Sequence, residues 1–356
     1  MSEYERIWDF MNLYQAHKTA RKGKRSTKEV IEFELDLAGS LSSLSDSLQQ
    51  KTYSISGYYR FFVHEPKERL IHALHYKDRV VQHCLCDEVL GPLLDKKLIY
   101  DNAACRIGKG NHFALARVSG FLREYYNRHG AAGYVLKCDV RKFFDHISHD
   151  VLKAKLRRVI ADDDVLSLLF MIIDSYETEP GRGLPLGNQT SQWFAIYYLD
   201  GFDRLIKEDM RIKYYSRYMD DCVIIHEDKA YLQNGLVRLR TYLGEELKLE
   251  FNDKTQIFPL RQGVNYLGFH VFLTDSGKIV KRVRQSTKCK YRRRLKYMCT
   301  AYASGLMDYE DIQRVLASYH AHLSFGHTYR LRERALSRFV LKKQEIDSNP
   351  STVMRL

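Results

Sequence analysis

Three aspartates carry the chemistry this sequence offers. Asp139 closes the apolar, strand-like run YVLKC, and Asp220 and Asp221 stand side by side in Tyr218-Met219-Asp220-Asp221, near the tip of a hairpin with arms KYYSRY and CVIIHE. Crowded carboxylates repel one another unless a cation offsets them. Phosphoryl transfer has use for such a cation, because it asks a protein for charge neutralisation and alignment more than for covalent help. Two Mg2+ ions about 4 Å apart meet that need most simply. Mg2+ selects oxygen ligands and keeps several waters, so a few converging carboxylates suffice. A strand ending in one aspartate, beside a hairpin carrying two more, supplies that convergence. A bare Tyr-x-Asp-Asp string is weak on its own, and an acidic hairpin turn is its ordinary reading.

The surrounding elements have to hold these residues in place. The first fifty or so residues read as helices broken by a basic loop, Arg21–Arg25, after which Ser26 or Thr27 caps the next helix. Tyr58 to Ala73 has the pattern of a short hairpin turning at Pro66-Lys67-Glu68. DRVVQHCLCDEVLGPLLDKKL follows with apolar residues at helical spacing. The buried-type strand over 134–140 leads through a turn into a helix, SHDVLKAKLRRVI, and SQWFAIYYLDGFDRLIKEDM forms another long helix ahead of the aspartate hairpin. A helix (YLQNGLVRLRTYLGEEL) and a second hairpin around VNYLGFHVFLTDSGKIVKRV complete an α+β unit. From about Ser286 the chain turns helical and very basic (KCKYRRRLKYM), the one clear boundary in a sequence without repeats or low-complexity linkers.

Composition sets outer limits. At 356 residues the chain calls for two or three packed subdomains, and 45% hydrophobic residues are enough to bury a core. A formal net charge of +13 favours polyanionic partners, although charge alone equally describes a merely basic protein. The seven cysteines are scattered with no Cys-x-x-Cys, which argues against a zinc module and for reduced thiols in the cytosol. His320, His322 and His327 invite a metal reading, but neither cysteine nor acid frames them, and core or RNA-contacting roles are simpler. The charged N-terminus lacks an apolar leader and no run reaches membrane-spanning length, so a cytoplasmic protein with no membrane partner is expected.

The order of segments resembles that of the reverse transcriptases from about Tyr58 into the basic tail. The first hairpin with Arg69 looks like the fingers segment. DRVVQHCL (Asp78, Arg79, Gln82), AACRIGKGNHFA (Arg106, Gly110), KCDVRKFFDHISHDVL, GLPLGNQTSQWFA, RYMDDCVIIH, LKLEFNDKT and NYLGF then follow in family order. The resemblance implies an α+β, right-hand polymerase with fingers, palm and helical thumb. It divides the chain into an N-terminal helical extension (1–57), fingers and palm (58–285), thumb (286–345) and tail (346–356). It implies catalysis by Asp139, Asp220 and Asp221 with two Mg2+ ions, Mn2+ being a substitute, and the Val140 carbonyl as a further metal ligand. Arg69, with Lys67, would take the phosphates of the incoming dNTP through guanidinium and ammonium groups. Phe144 falls where the family places its sugar gate, an aromatic ring that leaves no room for a 2′-hydroxyl, while Phe143 serves the core. Lys254 matches a lysine that protonates departing pyrophosphate, with a surface lysine as the alternative. Arg106 and Lys109 would touch the template backbone. Lys288, Lys290, Arg292, Arg293, Arg294 and Lys296 would form a thumb helix on the template–primer phosphates.

One departure narrows the family. Where many members carry Gln-Gly and later Ser-Pro, this chain has Leu186-Gly187 and Ser191-Gln192. That variant resembles the bacterial enzymes of diversity-generating retroelements, which copy RNA unfaithfully at adenines, and an apolar Leu186 loses no hydrogen bond on mispairing. The expected function is thus error-prone cDNA synthesis from a cognate structured RNA. Template RNA, nascent cDNA, a structured non-coding RNA and a small basic accessory protein are the implied partners. Phage defence with the same chemistry, a group II intron role and a non-catalytic RNA-binding scaffold are the alternatives. Too few residues follow the thumb for an RNase H or a zinc-bearing endonuclease domain, so neither is expected.

Overall fold

The computed structural model describes residues 1–64 and 68–343. Lys67 and the expected tail at 346–356 lie outside the described residues. The chain divides into two compact units, one of residues 1–118 and 133–258, the other of residues 119–132 and those from 259 onward.

The first unit opens with helices Glu3–Trp8, Phe10–Ala20, Lys28–Leu35 and Leu37–Gln49, separated by the basic loop where the sequence sets it. Ser2 and Glu5 close a reciprocal capping box, and the Asp9 and Asp36 carboxylates cap the second and fourth helices. Thr27 precedes the third helix but does not cap it with its side chain: the hydroxyl donates back to the Lys24 carbonyl at 2.8 Å. Strands β1 (Tyr58–Val63) and β2 (Arg69–Leu74) form the expected hairpin, a separate two-stranded sheet with much of its surface exposed. The following helix, Tyr76–Leu85, continues through one π turn (Cys86–Leu90) to Asp95.

The central sheet holds β3 (Tyr134–Cys138), β4 (Tyr214–Tyr218), β5 (Asp221–His226) and β6 (Gln256–Pro259) in the order β4-β5-β3-β6. Both neighbours of β5 run antiparallel to it. Val135, Leu136 and Cys138 of β3 and Cys222–Ile225 of β5 are buried on both faces, which is why these strands read as continuous apolar runs. Helices His149–Arg157, Asp163–Asp174, Gln189–Tyr198 and Lys229–Glu245 bring Leu156, Leu169, Phe194 and Leu243 into the same core. The helix Asp163–Asp174 was not expected from sequence, despite an Asp162 cap and acids in its first turn.

In the second unit the expected second hairpin is a three-stranded meander, β7 (Val264–Tyr266), β8 (Phe269–Leu273) and β9 (Ile279–Val283). Helices Gln285–Ala303, Tyr309–Ser324 and Tyr329–Leu336 follow. Strand and helix interlock here. The Phe269 ring lies 5.0 Å from His322, and His327 and Lys281 exchange hydrogen bonds at 2.8 and 3.1 Å. The compact units therefore divide at 258/259, ahead of the boundary read near Ser286. Among the described residues no helix is long and apolar enough to cross a membrane.

Candidate active site

The site is built on the β4–β5 hairpin. Tyr218 pairs with Asp221, so the loop is the two-residue Met219-Asp220, and Met219 accepts a φ of 56° to close it. A buried guanidinium fixes this turn. Arg217 donates to the Met219 carbonyl at 2.8 Å, to the Ile196 carbonyl at 2.9 Å, and to both carboxylate oxygens of Asp203 at 2.7 and 2.6 Å. Tyr215 donates to the same carboxylate. Arg217 and Asp203 are both inaccessible to solvent. Burial works against the charge on Arg217, but Asp203 more than offsets it and the guanidinium is held more firmly protonated than usual.

Across the sheet, β3 and β5 pair Lys137 with Val223 and Cys138 with Cys222. One step further in that register sets Asp139 opposite Asp221. The Asn252 side chain donates to Asp139 Oδ2, and the Asn252 amide donates to the Asp139 carbonyl at 2.8 Å. The Thr255 hydroxyl accepts from the Asp139 amide at 3.2 Å. Asp220 and Asp139 lie close enough for their carboxyl groups to act on each other. Burial first, and the Asp139 charge second, push the Asp220 carboxyl up to about 6. Asp221 is engaged differently: Lys137 Nζ donates to its Oδ1.

The structure thus brings Asp139 and Asp220 together and turns Asp221 to a lysine. Among the described residues no three His, Cys, Asp or Glu groups converge as a metal cluster. The pair nonetheless fits a hard divalent ion: its donors are carboxylate oxygens, and two acids this close raise each other's proton affinity, a repulsion that a cation would offset. Val140 is buried in a bridge with Phe251, whose flanking hydrogen bonds (Asn252 to Asp139, Arg141 to Glu250) leave the Val140 carbonyl unused by the bridge.

The other expected residues distribute as follows. Phe144 is half-buried beside the fully buried Phe143, with ring centroids 5.7 Å apart, and its carbonyl accepts from the Leu184 amide at 2.8 Å. Leu186 is half-buried. Gly187 has a φ of 102°, and a Cβ there would meet Ile71 Cγ2 of β2 at 3.3 Å. Gln192 accepts from the Cys105 thiol at 3.3 Å and, with Gly187, Arg79, Gln82 and His83, lines a pocket of about 210 Å³. Arg69 stands exposed at the first residue of β2, in a different sheet from the aspartates. Lys254 is exposed in the turn that holds Asp139.

Arg106 departs from expectation: its guanidinium is spent on Asp95 and on the Ile99 and Asn102 carbonyls, holding its own loop instead of reaching for template. Lys109 is likewise tied to the Tyr100 carbonyl at 2.7 Å and lies over the Tyr100 and Phe113 rings, with burial pushing its ammonium down to about 8. His320 contacts the Tyr291 hydroxyl at 3.3 Å, and His327 bonds Lys281. All seven cysteines are free thiols.

Sequence reasoning missed Lys137, Asn252, Thr255 and the Arg217–Asp203 pair. Two of these carried a signal. Lys137 sits two residues before Asp139, on the same strand face, and Arg217 is a charge inside a strand that otherwise reads as buried.

A mixed fold with carboxylates at one strand end and in the adjacent hairpin turn is the layout that the resemblance implied for a polymerase palm. Residues 64–271 match the family model described as "Reverse transcriptase (RNA-dependent DNA polymerase)", and the chain belongs to that family. A curated relative, Protein YkfC of Escherichia coli (strain K12), is 26% identical over 231 residues, covering 54% of this chain and 60% of the relative. The chain thus matches less than two thirds of that relative's length. Among solved structures, a telomerase from Candida albicans in complex with a TWJ fragment of telomeric RNA is 15% identical, with 82% of this chain and 57% of that chain covered at a TM-score of 0.49. An apo telomerase from Candida tropicalis truncated from its C-terminal domain is 12% identical, with 67% and 59% covered at a TM-score of 0.48.

Proposed function

We propose that this chain is an RNA-directed DNA polymerase that adds deoxynucleotides to a primer on an RNA template. The observation that carries the reading is the close, mutually repelling Asp139–Asp220 pair, within the residues matched by the family. Asp139 and Asp220 would hold divalent ions, Mg2+ or Mn2+, with the Val140 carbonyl beside them. The ions would neutralise charge on the attacking 3′-oxygen and the departing pyrophosphate. Asn252 and Thr255 fix the Asp139 backbone and carboxylate, and Arg217 fixes the turn, so the acids are aligned before substrate arrives. Asp220 carries a proton at low pH that it must release before it can act as a ligand.

Phe144 would lie under the sugar of the incoming nucleotide and exclude a 2′-hydroxyl. Arg69, with Lys67, would meet its β- and γ-phosphates, and Lys254 would protonate the departing pyrophosphate. Leu186, Gly187 and Gln192 would face the nascent pair, next to a pocket that also presents Arg79, Gln82 and His83. Leu186 offers that pair no hydrogen bond, which supports the error-prone reading and a place in a bacterial diversity-generating retroelement.

In the second unit a groove of about 930 Å³ is lined by Arg282, Lys288, Arg292, Lys296, Arg330 and Arg334, with apolar Leu295 and Leu331 between them. Such a surface suits phosphate backbones of any sequence. The test is extension of a primed RNA with labelled dNTPs and Mg2+, followed by sequencing of the product. Extension by wild type and none by Asp220→Ala is expected, with errors concentrated opposite template adenines. Equal extension by both proteins rejects the polymerase reading, and uniform errors reject the diversifying one.

A further inference from the structure

Lys137 occupies an unusual place for a cation. It lies on β3 two residues before Asp139, so the two side chains leave the strand on the same face. Its cross-strand partner is Val223, and Asp221 lies two residues from Val223 on β5, again on that face. The continued register puts Asp139 and Asp221 directly opposite each other, a like-charge arrangement that a sheet does not tolerate uncompensated. Lys137 is the diagonal neighbour that compensates it. The Lys137 side chain is mostly withdrawn from solvent, 16% exposed against 30% for that of Asp221, and its ammonium donates to Asp221 Oδ1. This contact follows from backbone register, with no loop needed to deliver the lysine.

We infer that Lys137 is a positioning residue that acts as a resident cation. It occupies Asp221, leaves the divalent ions to the Asp139–Asp220 pair, and thereby sets how much metal the site needs. The inference rests on the reading of Asp139 and Asp220 as metal ligands. A divalent ion approaching the three acids meets a net charge made less negative by Lys137, and it must displace the ammonium to recruit Asp221. Both effects weaken metal binding while holding the metal-free sheet together. A purely structural lysine would do only the second.

The experiment measures Mn2+ binding by the full-length protein, reading free Mn2+ by electron paramagnetic resonance, alongside Tm with and without Mn2+. Lys137→Met is expected to bind Mn2+ about tenfold more tightly than wild type. It should also melt lower without metal and gain more Tm from Mn2+ than wild type does. Lys137→Arg keeps the charge and should restore wild-type affinity. Asp221→Asn tests the same idea with lysine in place: it should weaken Mn2+ binding less than threefold, whereas Asp220→Asn should abolish it. A Lys137→Met protein with unchanged or weaker Mn2+ affinity overturns the inference. If that variant does not fold, an Asp221→Asn loss equal to that of Asp220→Asn overturns it. A wild type without a saturable Mn2+ site overturns both the inference and the metal reading. A wild-type site unmoved by Lys137→Met overturns the inference alone.

Discussion

At the scale of single residues, what organises the site is where charge is buried. Arg217 and Asp203 are held out of water together, and each is tolerable only because of the other. Removing one partner of such a pair strands the other charge, so Arg217→Met should cost about 3–5 kcal/mol of stability. Urea unfolding checks this, and a loss below about 1 kcal/mol would show that Asp203 finds another partner. Because Arg217 also holds the Met219 carbonyl, the surviving folded fraction should be slow in primer extension as well. Phe144 makes a separable prediction. Its ring is only half-buried and Phe143 fills the core position, so Phe144→Ala should spare the fold. It should lower discrimination against ribonucleotides by about a hundredfold. Steady-state incorporation of dCTP against CTP measures this, and unchanged sugar selectivity removes Phe144 from the gate.

Among the elements, the loop 183–188 and the helix Tyr76–Leu85 come together around one small pocket, and each carries a testable constraint. Gly187 combines a φ of 102° with a neighbour 3.3 Å from where a Cβ would stand, so Gly187→Ala should cost about 1–3 kcal/mol, seen as a lower Tm. A neutral result would mean that the loop relaxes freely. His83 lines the same pocket, and burial first, then the Arg79 charge, push its imidazole from 6.5 down to about 4. The unfolded chain therefore binds the His83 proton more readily than the folded one between those values. Stability from this group is complete above pH 6.5 and falls as pH drops toward 4. Asp220 acts in the opposite sense, since a raised carboxyl gains stability as pH falls through 6. The informative quantity is thus the difference between wild type and His83→Asn, which should shrink the loss between pH 7 and pH 5 in urea unfolding. Equal losses in both proteins would show that His83 is not held neutral.

The elements also show what a reader of the sequence can and cannot recover. β3 and the β4–β5 hairpin were legible because apolar runs broken by Asp139 and by Met219-Asp220 mark strand ends directly. The Lys137–Asp221 contact was not, since it depends on which residue of β3 faces which residue of β5. Nor was the role of Arg106, whose carbonyl partners are set by a loop path. Asn252 was hidden behind its neighbour Lys254, the more conspicuous residue.

For the whole molecule, the central relation in the proposed polymerase is between the acidic candidate site and a chain carrying +13. A site built from aspartates repels nucleic acid at close range. If the chain binds a template as proposed, the basic surplus elsewhere has to supply the attraction, and its reach is set by ionic strength. The groove of the second unit concentrates that surplus. Lys288, Arg292 and Lys296 recur along one face of the helix Gln285–Ala303, opposite Arg330 and Arg334 of the last helix. Affinity that comes from displacing condensed counterions falls linearly in log K against log salt, by about 0.9 per phosphate neutralised on a duplex. Replacing Arg292, Arg330 and Arg334 together by alanine should therefore flatten the slope by about 2 to 3. Primer–template affinity should drop most at low salt, and the extension rate from saturated complex should change little, because the three belong to the second unit and the carboxylates to the first. Fluorescence anisotropy of a labelled primer–template across a salt series gives the slope, and single-turnover extension gives the rate. An unchanged slope would mean that the groove does not carry the backbone, and that the attraction comes from the basic loop at 21–25 or from the outward-facing Arg293.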